Sequence, residues 1–205
     1  LELDKIDTLA YPNFVQAEID LILNVSQDLL IVKRYREFEL TQKRIDDLRS
    51  LVTSTTLSAT GSGTQYAATL PPDYWFTLSS TSSGTGTICG VTQPLNLINK
   101  QVTYDRLTVA LVDPFNKPDN ETALVTFSGS QMNVYTNGAA VSGINFTYLR
   151  KPLRMSISAT GINNPVGFTN QCELPDHMHR EVVAEAVRRT LETVSSERYN
   201  TNRQE

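Results

Sequence analysis

Cys172-Glu173-Leu174-Pro175-Asp176-His177-Met178-His179-Arg180-Glu181-Val182-Val183 opens the last helix of the chain, and the partners which that helix needs decide the fold. The helix starts near Pro175, with Asp176 close to its positive end, where a carboxylate is stabilised. Met178, Val182, Ala186, Thr190 and Val194, with Val183, Val187 and Leu191, form a continuous apolar stripe, while Glu185, Arg188, Arg189 and Glu192 take the other side. A striped helix must bury its apolar side against something. After Ser195-Ser196 the chain turns polar, with Tyr199 its single apolar anchor.

The partner is predicted at the other end of the chain. Residues 13–34 read as an amphipathic helix, with Val15, Ile19, Ile22, Ser26 and Leu29 recurring at helical spacing and Leu23 and Leu30 widening the stripe. Pro12 suits its first turn, and Glu18 and Asp20 precede Lys33, Arg34 and Arg36, in the order the helix dipole favours. A second helix is predicted over 39–52 on Phe38, Thr41, Ile45, Leu48 and Val52, with Lys43, Arg44, Asp46, Asp47 and Arg49 turned to water or a partner. The two stripes fall out of register across residues 33–37, which predicts a break there. Helices this short need a third surface, and the C-terminal helix supplies it.

Between these ends the period changes. Residues 53–65 read as a linker. Strands are predicted at 66–70 and 74–78 around Pro71-Pro72-Asp73, and at 95–102. Ser79 to Thr87 is expected to be an exposed Ser/Thr/Gly tip. Thr103 reads as the N-cap of a short helix over 104–112 whose Leu107, Ala110 and Leu111 face inward. Asp113-Pro114-Phe115-Asn116-Lys117-Pro118 must be irregular, because two prolines interrupt it. A hairpin joins 122–127 to 131–135 across Ser128-Gly129-Ser130, and Ile144 to Leu149 alternates as a half-buried strand ended by Lys151-Pro152. The expected class is α+β: a helical bundle made by residues 1–53 and 171–205, carrying an inserted antiparallel β-rich domain over 54–170.

Charge follows the same division. Residues 1–52 hold ten acidic and seven basic side chains, and residues 172–205 hold seven and five. The 119 residues between hold eleven charged side chains in all. A net charge of −4 argues against a protein that binds nucleic acid by neutralising phosphates. A hydrophobic content of 40% and a charged content of 20% are those of a soluble globular protein, and no apolar run is long enough for a membrane span. The first thirty residues lack the pattern of a signal peptide. Because the chain begins at Leu1 without Met, a few residues are expected to precede it. Cys89 and Cys172 lie far apart, and two free thiols in a reducing compartment are expected.

Chemistry is sparse. His177-Met178-His179 has the look of a metal site flanked by Asp176 and Glu181. Residues two apart on a helix, however, point roughly 200° apart, so both rings cannot grip one ion. A polar first turn in which His177 or His179 meets Glu181 or a neighbouring subunit is the expected arrangement. No G-x-S-x-G elbow occurs, and Gly61-Ser62-Gly63 and Gly84-Thr85-Gly86 lack what a phosphate loop needs and read as flexible tips. Asp46-Asp47 and Glu37/Glu39 read as charged helix faces. Asn120-Glu121-Thr122 and Asn145-Phe146-Thr147 are sequons of a kind that arises by chance. No catalytic residue, cofactor or metal is expected. Tyr74-Trp75-Phe76 is read as core. With the 79–87 and 136–143 loops it also allows a β-domain module that binds a glycan or protein receptor.

Several segments in order resemble the head–tail connector (adaptor or ring) proteins of tailed bacteriophages, particularly those of crAss-like phages. They are Phe38-Glu39-Leu40-Thr41-Gln42-Lys43-Arg44-Ile45-Asp46-Asp47-Leu48-Arg49, Leu70-Pro71-Pro72-Asp73-Tyr74, Tyr104-Asp105-Arg106, Asp113-Pro114-Phe115-Asn116-Lys117-Pro118, Thr147-Tyr148-Leu149-Arg150-Lys151-Pro152 and Cys172-Glu173-Leu174-Pro175. The resemblance spans nearly the whole chain, apart from 79–87. It implies a non-enzymatic virion protein, made in the host cytoplasm, that forms a homo-oligomeric ring, usually of about twelve copies. Such a ring joins the portal protein to the next tail or ring protein, lets DNA pass without sequence-specific binding and needs no membrane. The side chains expected at subunit or portal contacts are Arg34, Arg36, Glu37, Lys43, Arg44, Asp47, Arg49, Arg150, Lys151, His177, His179, Arg180, Glu181, Arg188, Arg189 and Tyr199. The polar tail from Ser195 is expected to order on the portal.

Overall fold

The structure, a computed structural model, describes residues 16–36, 46–157 and 168–202. The class is α+β, and the chain divides into two compact units. One comprises Leu1–Ser50 with Pro152–Glu205, and the other Leu51–Lys151. The β unit thus stops at Lys151 and not at 170. Residues from Pro152 onward join the helical unit, where Met155 donates its N–H to Asn24 Oδ1 (2.8 Å) and its carbonyl accepts from Asn24 Nδ2 (2.9 Å).

In the helical unit, α1 (Gln16–Arg36) packs against the C-terminal helix (Asp176–Asn202), with residues 46–48 helical and passing into a 3-10 turn at Arg49–Leu51. Of the second helix predicted over 39–52, residues 39–45 lie outside the described residues, as do Pro12 and Val15. The inward face of α1 matches the predicted stripe in part: Ser26 and Leu30 are buried and Ile22 and Leu23 half-buried. Ile19 and Leu29 are 38% and 40% exposed, whereas Asn24, Ser26, Gln27, Leu30 and Ile31 are buried. The helix is turned so that Asp20, Asn24 and Asp28, spaced by four, meet the 154–156 backbone and side chains: Ser156 Oγ donates to Asp20 (3.2 Å) and Arg154 to Asp28 (2.7 Å). A bare strand segment needs hydrogen-bond partners more than it needs methyl groups. In the C-terminal helix, Met178, Val182 and Ala186 are buried as expected, but Val183, Val187 and Leu191 are 53%, 52% and 64% exposed. Its helical backbone also runs on through Ser195-Ser196 to Asn202. β9 (Ser156–Ile157) and β10 (Phe168–Asn170) form a small separate sheet in this unit.

The β unit contains β1 (Val52–Ser58), β2 (Thr60–Ser62), β3 (Gln65–Thr69), β4 (Tyr74–Ile88), β5 (Val91–Gln101), α2 (Tyr104–Val112), β6 (Thr122–Ser128), β7 (Gln131–Tyr135) and β8 (Ala140–Arg150). The C-terminal helix is α3. The eight strands form one sheet in the order β1-β8-β4-β5-β6-β7-β3-β2, curled so that β1 comes beside β3 and β2 beside β8. Alternation in β8 sends Ile144, Phe146 and Tyr148 into the core with Leu97, Val125, Met132 and Val134, while Asn145 and Thr147 face out.

Two stretches predicted as loops are strands. β1 starts at Val52, the last residue of the predicted second helix, and runs into the predicted linker, and its hydroxyls bond across to β8: Ser54 with Thr147 (3.0 Å) and Thr56 with Asn145 (3.1 Å). Ser79 to Thr87 is the middle of β4, paired to β5 on one side and β8 on the other. Its glycines permit close packing: a Cβ at Gly84 would stand 1.9 Å from the Ala140 carbonyl oxygen. The turn is instead at Cys89-Gly90, both at positive φ (51° and 80°), as a two-residue hairpin requires.

The predicted hairpin is present, with a Gly129-Ser130 turn. β5 and β6 run parallel. Parallel neighbours need a crossover, and α2 lies in it at the predicted residues. Thr103 makes no side-chain cap bond, however, and no α2 residue is buried: Leu107 and Ala110 are half-buried and Leu111 is 37% exposed.

Candidate functional site

The densest meeting of predicted site residues is in the helical unit. Asp47 is 7% exposed. Its carboxylate takes His177 Nε2 at 2.7 Å on one oxygen and lies 3.5 Å from Arg34 Nε on the other. Arg34 reaches on to Glu181 through Nη2 at 2.6 Å. Four side chains from α1, the helical residues 46–48 and the first turns of α3 therefore form one chain of alternating charge when His177 is protonated. The expected His177–Glu181 contact is replaced: Glu181 belongs to Arg34 and His177 to Asp47.

The two histidines diverge, as helix geometry requires. His179 Nε2 meets the Leu174 carbonyl (2.8 Å) and its Nδ1 stands 3.9 Å from Asp176. Among the described residues no three His, Cys, Asp or Glu side chains are grouped to hold a metal ion, and no hydroxyl or thiol bonds to either histidine ring. Asp47 is shared between the imidazole and a guanidinium, and the contacts tie α1, residues 46–48 and α3 together.

The remaining predicted contacts separate. Arg188 bonds Glu185 (2.7 Å) and Glu192 (2.9 Å), and Arg189 bonds Glu185 (3.2 Å). Hydrogen bonding from Arg188, then its charge and Arg189, holds the Glu185 carboxyl below the usual range. Arg36, Arg49 and Arg180 are exposed. Arg150 and Lys151 end β8 in the other unit, where the Lys151 N–H donates to the Asp73 carbonyl at 2.7 Å. Glu37, Lys43 and Arg44 lie outside the described residues, as does the side chain of Tyr199.

The aromatic platform expected of a glycan module is divided. Tyr74 packs against Phe146, Phe127 and Tyr148, with centroids 5.6, 6.1 and 6.1 Å away, whereas Trp75 stacks on Phe76 at 5.1 Å. A register shift between Tyr74 and Phe76 accompanies the division. Cys89 and Cys172 are both unpaired, and burial pushes the Cys172 thiol above its ordinary value.

Sequence reasoning missed two features. One is the polar row Asp20, Asn24 and Asp28, whose spacing of four was legible but hidden beneath the apolar stripe. The other is an outward apolar surface on three helices: Leu21, Val25 and Leu29 on α1, Val183, Val187 and Leu191 on α3, and Val109 and Val112 on α2. No protein-family model and no curated protein matches this chain.

Proposed function

We propose that this chain is a structural subunit of a ring at the head–tail junction of a tailed phage, joining the portal to the tail and lining the DNA channel. The observation that carries the proposal is the second apolar row on each long helix. α1 and α3 pack on each other within the helical unit and still expose Leu21 at 63% and Leu191 at 64%, with their helical neighbours. Apolar rows at i, i+4, i+8 on an outer face are cover for a further partner. A ring copy has two such partners, one on each side.

Three further features agree with the proposal. The contacts Arg34–Asp47, Asp47–His177 and Arg34–Glu181 tie helical segments to one another. The net charge of −4 and a sheet rich in Ser and Thr suit a wall along which DNA slides without sticking. Among the described residues no helix is long and apolar enough to cross a membrane. A helical bundle formed by the two chain ends belongs to this proposal. So does contact of the polar end of α3 with the portal.

Mass measurement of the purified chain, alone and with its portal, tests the reading, followed by electron microscopy of assembled particles. A closed ring of fixed copy number seated on the portal is expected. A chain that stays monomeric and ignores the portal overturns it.

A further inference from the structure

Phe115 is 93% exposed, more than any other large apolar side chain among the described residues. It is also held firmly. The Asp113 carboxylate accepts the Phe115 N–H (3.0 Å) and the Asn116 amide, while the Asp113 carbonyl accepts the N–H groups of Asn116 (3.2 Å) and Lys117 (2.9 Å). The Phe115 N–H, then Asn116, hold the Asp113 carboxyl below its usual range, so the brace persists near neutral pH. Val109 and Val112, 70% and 77% exposed, extend the patch along α2. The backbone that carries this exposed aromatic ring has already lost the freedom that ordering the segment on a partner would remove, which suits an interface anchor. Acids outnumber bases around it by one: Asp105, Asp113, Asp119 and Glu121 against Lys100, Arg106 and Lys117.

The helical unit holds a surface of opposite character. A cavity of 410 Å³ opens between α1 and α3, with Leu29, Leu30 and Val32 on its apolar side and Lys33, Arg36, Arg188 and Arg189 around it. Its one lining acid, Glu185, is already taken up by the two α3 arginines. Leu29 also belongs to the uncovered row of α1, so the cavity continues into that row.

We propose that the Phe115 patch of one copy seats in the α1–α3 cavity of a second copy of this chain, its acidic surround meeting the basic rim. This deepens the ring reading and rests on it. Because the two patches differ, the contact is heterologous and repeats from copy to copy, as ring closure requires.

The test uses the full chain, Phe115→Asp, and the double variant Lys33→Glu/Arg36→Glu, followed by sedimentation velocity with and without the portal. All three substituted side chains are exposed, so unchanged melting curves are expected; if one variant fails to fold, Phe115→Ser or Arg36→Ala replaces it. Each variant alone is expected to associate at least about 30-fold more weakly than the unaltered chain. An equimolar mixture of the two should recover a dimer and nothing larger, since one working patch of each kind remains. Variants that assemble like the unaltered chain overturn this interface and leave the ring reading standing. Weakened variants whose mixture gives no dimer overturn the pairing of the two patches. An unaltered chain that is monomeric even with the portal overturns both readings.

Discussion

Asp47 shows how one residue can carry a junction between distant segments. Its carboxylate holds His177 and faces Arg34, and it is nearly buried. Asp47→Ala leaves a 19%-exposed guanidinium with less compensation, and a loss of about 1–3 kcal/mol is expected in urea unfolding. A change below about 0.5 kcal/mol would show the cluster to be ornamental. Cys89 works in the other direction. It occupies a left-handed position (φ 51°) in a two-residue turn where Asn before Gly is the favoured pair. Cys89→Asn is expected to raise stability by about 0.5–1 kcal/mol, read from the same unfolding curves. Tyr148 donates its hydroxyl to Asp73 at 2.9 Å, and burial first, then Asp73, pushes its phenol above the ordinary value. A folded value raised above the unfolded one of about 10 means that its stabilising contribution is complete below that pH and is lost as pH climbs through the folded value. Ultraviolet titration should therefore show one late-ionising tyrosine coupled to alkaline unfolding. Tyr148→Phe should remove that step, and an unchanged alkaline transition would contradict the assignment.

At the scale of elements, β4 is the instructive case. Its Ser/Thr/Gly composition has the look of a loop, yet it lies between β5 and β8 and is the longest strand of the sheet. Gly84 is required by the approach of β8, since any Cβ would meet a backbone carbonyl. Gly84→Ala is expected to lower stability by about 1–3 kcal/mol. Gly86→Ala meets the end of the Leu95 side chain, with the Ala139 methyl at ordinary contact distance (3.6 Å) and no backbone atom among its nearest neighbours, so thermal melts should show a smaller effect. The limits of α2 and the 122–135 hairpin were legible, because local spacing and turn residues determine both. The inward face of α1 was legible only in part. A hydrophobic pattern selects Ile19, Ile22 and Leu29, whereas the arriving 154–156 segment selects Asp20, Asn24 and Asp28 through hydrogen bonds that no local pattern announces.

For the whole molecule, the division into two units predicts that residues 51–151 expressed alone fold into the β unit, with a cooperative melt and strand-rich circular dichroism. A collapsed or unfolded product would show that the helical unit is needed to close that core. The candidate site was partly legible at this scale. Arg34, Asp47, His177 and Glu181 were each identified as charged contact residues, but their pairing was not, because His177 and Asp47 are 130 residues apart in sequence. The anchor at Phe115 was visible only as a proline-rich irregular stretch, since exposure cannot be read from residue type.

The stretch from Cys172 to Val183 marks the balance. Sequence alone determined that a helix begins there, that its histidines diverge and that Met178, Val182 and Ala186 lie on an apolar stripe, because each follows from helix geometry. The tertiary structure decided that His177 would meet Asp47, that Glu181 would meet Arg34, and that Val183, Val187 and Leu191 would be left uncovered. Periodicity is a property of one element, whereas a face becomes inner or outer only when another segment arrives to cover it.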